Sequence, residues 1–253
     1  MGKALSITWR GIADTYSELF PMVGMNLIWV VISVVLAPIL VLIWSPVADL
    51  LSGFLMPGLD EPQLASASLE LAFILALLTL VFGPNPAYVG THNYINHLLN
   101  DHPVYFGMVW EGFKRYWARA FALFGVSTLA YVILSVCTVF YFSQDSTLVK
   151  LLGVVCAYAA LLWTMMQMYL LPLLLEQEKK SFRLILRNAL LLTMDNAIVT
   201  LTLLVVTVAL VAVSFAVTIL ITMITASLLA SIQQRATLTL LDKYNARGAP
   251  LTR

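Results

Sequence analysis

Apolar runs long enough to cross a lipid bilayer alternate with short polar connections along almost the whole chain. The first is Met22 to Trp44. About 20 apolar residues in a helix cross a hydrocarbon core of about 30 Å. Pro38 falls inside this run, which a membrane helix tolerates, and Trp44 closes it where an interfacial aromatic belt is expected. Ser45 to Ser68 then reads as a loop with Pro46, Gly53, Pro57, Gly58 and Pro62. The second run, Leu69 to Phe82, is cut by Gly83-Pro84-Asn85-Pro86. Ala120 to Phe142 and Leu148 to Leu175 are the third and fourth runs, joined by the turn Ser143 to Ser146.

The last run, Ile198 to Ile232, has no glycine, proline or charge. As a single helix at 1.5 Å per residue it would be about 52 Å long, too long for the core without strong tilt. The pattern therefore predicts two helices, with a turn near Ser214 to Thr218 and a sixth helix reaching about Leu241.

Between the runs lie segments with an apolar stripe and a polar face. In residues 4–20, Trp9, Ile12, Tyr16, Leu19 and Phe20 form the stripe, and Arg10, Asp14 and Ser17 lie off it. That suits a helix lying in the membrane interface, separated from the first span by Pro21. After the break, Tyr88, Ile95, Leu98 and Leu99 oppose Asn93, Asn96, His97 and Asn100. In Val104 to Ala118, Phe106, Val109, Trp110, Phe113 and Trp117 oppose Glu111, Lys114 and Arg115. Residues 176–196 carry Phe182, Ile185, Leu186 and Ala189 at helical spacing, with Ser181 as the expected N-cap. The amphipathic-plus-hairpin order recurs over 4–82, 104–175 and 181–241, which suggests a threefold repeat.

The predicted fold is thus all-α: six transmembrane helices plus interfacial amphipathic helices in one integral membrane domain, residues 1–253. Composition agrees. Of 253 residues, 61% are hydrophobic and 11% charged, with mean hydropathy +0.92, against about 25% charged in soluble domains. Net charge is +1, so no nucleic-acid partner is implied. Residues 1–21 lack the apolar core of a cleavable signal, because Asp14 and Glu18 interrupt it.

Charge placement adds orientation. Of 14 Lys and Arg, six spans put all but Lys150 on one side. Five spans would move Arg235, Lys243, Arg247 and Arg253 across. The positive-inside rule favours six spans in the cell membrane with both termini cytoplasmic.

Chemistry is sparse. No HExxH, Walker A, GxSxG or CxxC motif occurs, so the chain does not read as an enzyme, and no cofactor or metal is expected. Cys137 and Cys156 lie in apolar runs and read as buried, unreactive thiols. His92, His97 and His102 recur every five residues, share no helical face, and read as solvated interfacial side chains. Two site hypotheses remain. The Gly83, Pro84, Asn85, Pro86 break is either a hinge or a solute site, with Asn26 and Gln167 as further neutral polar candidates. Lys179, Lys180, Arg183, Arg187 and Arg235 could contact an anion, lipid or partner. Arg235 is the deepest basic residue, and Gln233 and Gln234 beside it could line a polar pocket.

The chain resembles the YesL family of bacterial membrane proteins. Asn26-Leu27-Ile28-Trp29, Gly83-Pro84 with Ala87, Phe113-Lys114-Arg115-Tyr116-Trp117 and the stretch Phe182 to Leu190 carry the resemblance over most of residues 22–243. Asn85-Pro86 and the long 45–68 segment depart from that pattern. The resemblance implies a multi-pass membrane protein, linked to carbohydrate uptake, with no catalytic residues to carry over. Two functions follow as expectations. One is a non-enzymatic accessory or scaffold protein that acts through its cytoplasmic amphipathic surface on another membrane protein or transporter. The other is a small-solute permease with its site near the Gly83–Pro86 break.

Overall fold

The computed structural model describes residues 2–100, 102–177, 181–217 and 221–245. Among them the chain is all helix, with no strand: α1 Gly2–Ser17, α2 Leu19–Leu55, α3 Glu61–Phe82, α4 Tyr88–Leu99, α5 Gly107–Phe142, α6 Thr147–Glu176, α7 Phe182–Asp195, α8 Ala197–Ala216, a π-helical turn Ile221–Thr225, and α9 Ala226–Asn245. Five of these, α2, α3, α5, α6 and α8, are long and apolar enough to cross a membrane. The protein is a helical membrane protein by that measure.

Several boundaries differ from the sequence pattern, each for a local reason. The first span does not stop at Trp44; α2 runs on through Pro38 and Pro46 to Leu55. Pro46 has no N–H for the Leu42 carbonyl. The Ser45 hydroxyl donates to that carbonyl instead, at 3.1 Å, and the helix continues. The expected 45–68 loop shrinks to residues 56–60, and Asp60 caps α3 by accepting from the Gln63 N–H at 3.0 Å. Pro62 then sits in the first turn of α3, where its missing N–H costs nothing. Pro21 likewise falls within the first turn of α2, so the separation from α1 comes at Glu18. The amphipathic stretch 104–118 and the third span merge into one 36-residue helix.

The last apolar run does divide. α8 ends at Ala216, Val217 leaves helical geometry at φ −113°, ψ 82°, and helical structure resumes at Ile221. Thr218, part of the expected turn, lies outside the described residues. α9 is not one of the five apolar helices: it carries Ser227, Ser231, Gln233, Gln234, Arg235, Thr237 and Thr239.

The chain forms two compact units. The first comprises Met1–Ile32, Pro84–Leu123 and Met165–Arg253; the second, Ser33–Gly83 and Phe124–Thr164. In the second, Leu40, Trp44, Val47 and Ala48 of α2 pack with Ala72, Ala76 and Leu80 of α3 and with Phe124. Trp44 is buried here rather than placed in an interfacial belt, because α2 extends well past it. Its Nε1–H donates to Thr79 Oγ1 at 2.9 Å. Ser52 and Ser68 join α2 to α3 at 2.6 Å, and Tyr131 donates to Thr164 between α5 and α6. Cys137 and Cys156 are free and half-buried, more open than their apolar setting predicts.

The first unit is built around α9. Residues 229–234 of α9 are all buried, so helices enclose it on every side. α1 turns Ala4, Ile7, Thr8, Gly11 and Thr15 inward. A side chain at Gly11 would put its Cβ 2.9 Å from Ile232 Cγ1, so only glycine lets α1 lie this close. The aromatic stripe of α1 faces outward: Trp9 and Tyr16 are exposed, as is Phe20 at the start of α2. The helix therefore buries small and polar residues and shows its large apolar ones, the reverse of a surface helix on a soluble protein and the expected arrangement against lipid.

Candidate functional site

The break after α3 is a tight structure that pairs several of its own backbone groups. Gly83 ends α3 in extended geometry at ψ 166°, as a residue before proline must. In the first unit, the Asn85 side chain turns back and accepts from the Ala87 N–H at 3.0 Å. The Asn85 and Pro86 carbonyls accept from the N–H groups of Tyr88 and Val89. Asn85 is wholly buried. The break thus closes on itself through these bonds, and residues 84–95 run buried from there through the first two turns of α4. α5 comes close to α4 through two glycines. A Cβ at Gly90 would meet the Val109 carbonyl oxygen at 2.5 Å, and one at Gly112 would clash with the Asn93 side chain, 2.8 Å from its Cγ. Asn93 Nδ2 donates to the Met108 carbonyl across the same crossing, at 2.9 Å.

Asn26, on α2, serves α9. Its Oδ1 accepts from the Ala226 N–H at 2.6 Å and lies 3.4 Å from that of Ser227. These N–H groups stand where the π-turn passes into the α-helix and the regular ladder is interrupted. Ser227 adds a hydrogen bond to the Met22 carbonyl, and Ser231 one to that of Gly11. Gln167 is buried on α6. Of the neutral candidates, Asn26 and Asn85 both spend their carbonyl oxygens on backbone N–H groups.

The side chains that do converge are on α4, α6 and α9. Gln234, wholly buried, donates through Nε2 to Glu176 Oε1 at 3.0 Å. A carboxylate only accepts, so this bond fixes the amide and turns Gln234 Oε1 toward His92 Nδ1, 3.3 Å away. Nδ1 must then carry the ring proton, and Nε2 keeps its lone pair. His92 is buried and not solvated, contrary to the sequence expectation. Burial pushes its pKa down to about 4, against the opposing influence of Gln234 and Gln233. Gln233 faces the ring but makes no bond to Nε2, which has no partner. Tyr88 lies edge-on to His92 and stacks on Trp29, at centroid distances of 6.3 and 5.8 Å. Trp29 Nε1 and both side-chain polar atoms of Gln177 are also buried without a hydrogen bond. The other two histidines behave differently: His97 Nδ1 bonds the Asn93 carbonyl within α4, and its ring lies 5.9 Å from that of His102. Among the described residues, no three His, Cys, Asp or Glu gather as a metal site.

Of the basic candidates among the described residues, Arg235 alone is drawn into this body. Its Nε and Nη2 grip both carboxylate oxygens of Asp14, the second at 2.6 Å. Such a two-point pair holds the guanidinium in a fixed plane. Arg183 and Arg187 lie exposed on α7; Lys179 and Lys180 lie outside the described residues. Nearby, the α7–α8 junction is clasped to the end of α9: Lys243 donates to Asn196 Oδ1 and Tyr244 to Asp195 Oδ2.

The residues that sequence reading missed are His92, Glu176 and Trp29. Their partner Gln234 stood beside Arg235 in a stretch flagged as polar. What linked it to His92, 142 positions away, was tertiary packing alone.

No family model, curated protein or solved structure matches this chain.

Proposed function

We propose that this is a non-enzymatic accessory or scaffold protein of the cell membrane, with six spans and both termini cytoplasmic, which docks another membrane protein on its cytoplasmic amphipathic surface. The carrying observation is the first turns of α5. Trp110 and Trp117 are exposed on the same helix as Lys114, which lies over the Trp110 ring at 5.4 Å. Trp110 stacks on Phe113 at 5.6 Å. Exposed, pre-stacked aromatics beside basic groups are what interface anchors are made of. Arg183 and Arg187 on α7 are exposed basic residues as well. The hinge-like closure of the Gly83–Pro86 break supports this reading over a solute site there. The resemblance to the YesL family, with its implied link to carbohydrate uptake, fits an accessory role, and the three amphipathic-plus-hairpin segments fit a repeat that spaces such surfaces.

The test is co-purification of the full chain from native membranes, with both termini tagged. The wild type retains a stoichiometric membrane-protein partner, and Trp110→Ala with Trp117→Ala loses it while the fold survives. Retention of the same partner by the double variant refutes the docking surface. A tag reachable only from the outer side refutes the orientation.

A further inference from the structure

On the first unit a polar recess of about 230 Å³ opens between α1, the end of α4 and α9. Arg10, Asn100, Arg235, Thr239 and Asp242 line it, with Leu99 and Leu238 at its apolar edge. Arg235 is already fixed by Asp14 through two of its five N–H donors, which leaves three for a ligand. Arg10 and Asp242 share the recess, yet neither is ion-paired among the described residues. Two opposite, solvent-exposed charges that line one cavity without pairing with each other suit a ligand that carries both signs.

The poles sort by chemistry. Arg10, Arg235 and the Thr239 hydroxyl are donors suited to phosphate oxygens. Asp242 and Asn100 Oδ1 are acceptors: the Asn100 amide nitrogen is already committed to Asn96. Asn100 also caps the C-terminus of α4, where the helix dipole favours a cation. Arg235 and Asp242 stand seven residues apart on α9, about 10 Å of helical rise. α1 brings Arg10 to the recess, and the neighbouring Trp9 and Tyr16 of the same helix are exposed, as an interfacial stripe would be. A ligand held here would have acyl chains beside that stripe.

We propose that this recess binds the headgroup of a zwitterionic phospholipid that carries a primary ammonium, phosphate on Arg10 and Arg235, ammonium on Asp242. The inference rests on the membrane reading of α1 and is independent of the docking surface on α5.

The experiment uses the full chain in a phospholipid-free maltoside detergent, with thermal unfolding followed by tryptophan fluorescence. The probes are dihexanoyl phosphatidylethanolamine, dihexanoyl phosphatidylglycerol, free phosphoethanolamine and inorganic phosphate. The ethanolamine lipid raises the unfolding temperature at concentrations at least tenfold below those of the other three. Arg10→Gln and Asp242→Asn, both exposed positions, each abolish that preference without changing unfolding in detergent alone. Equal response to phosphatidylglycerol with no effect of Asp242→Asn overturns the ammonium pole. Equal response to free phosphoethanolamine overturns the lipid as source. A lipid response unchanged by both variants overturns the site.

Discussion

The two units of this protein hold themselves together by different physics. In the second, α2 and α3 meet through a continuous apolar seam of Leu40, Val47, Ala72, Ala76 and Leu80, flanked by the Trp44–Thr79 and Ser52–Ser68 hydrogen bonds. In the first, the central helix α9 is tied to its neighbours by side-chain hydrogen bonds along its length: Ser227 to Met22, Ser231 to Gly11, Gln234 to Glu176 and His92, Arg235 to Asp14, Lys243 to Asn196. Lipid tails are as apolar as leucine, so apolar contact alone discriminates weakly between helix arrangements in a membrane. Directional bonds specify one arrangement, and they make the body intolerant of polar loss.

The sharpest way to break this comparison is Gln234→Leu. It removes the acceptor for the buried His92 Nδ1–H and one hydrogen-bond partner of the half-buried Glu176. Each unsatisfied buried polar group costs about 1–3 kcal/mol, so the variant should lose roughly 4 kcal/mol. Thermal unfolding in detergent measures it. A loss under 1 kcal/mol would mean that the polar network does not organise the first unit.

Acid should expose the same network, at somewhat smaller cost. His92 is neutral in the folded protein, with its pKa near 4, while in the unfolded chain it titrates near 6.5. Between these values the unfolded state binds more protons, so stability falls as pH drops through 6.5 and the loss is complete below about 4. The 2.5-unit gap corresponds to roughly 3 kcal/mol. His92→Gln, which cannot charge, should flatten the profile between pH 6.5 and 4. An unchanged profile would assign the acid sensitivity elsewhere.

The fold class and the runs that became α3, α5, α6 and α8 were legible because apolar length is a strong signal in a membrane protein. The division of 198–232 was legible from length alone, without any turn residue. The α2 extension was not. Pro46, Gly53 and Pro57 carry the composition of a loop, and the Ser45 hydroxyl that rescues the Leu42 carbonyl cannot be weighed from composition. The polar centre was half legible. Gln233, Gln234 and Arg235 stood out, but at positions 92, 176 and 14 the sequence gives no sign that His92, Glu176 and Asp14 meet them. The three histidines, read as solvated side chains that share no helical face, part company in the structure, because burial of the first two turns of α4 takes in His92 alone. Only His92 points into the body; His97 stays on α4's own backbone.

The smallest expected effect belongs to the second unit, and it sharpens the contrast. Trp44→Phe keeps the buried ring and removes only the Nε1–H that reaches Thr79 Oγ1. The Thr79 hydroxyl loses a donor but still gives its own proton to the Leu75 carbonyl, so no donor is stranded. The expected loss is about 1 kcal/mol, the net worth of one ordinary hydrogen bond. A loss near that of Gln234→Leu would show that this unit, too, depends on a polar pair at its centre. A value near 1 kcal/mol beside roughly 4 kcal/mol would mean that apolar packing carries the α2–α3 hairpin while hydrogen bonding specifies the body around α9.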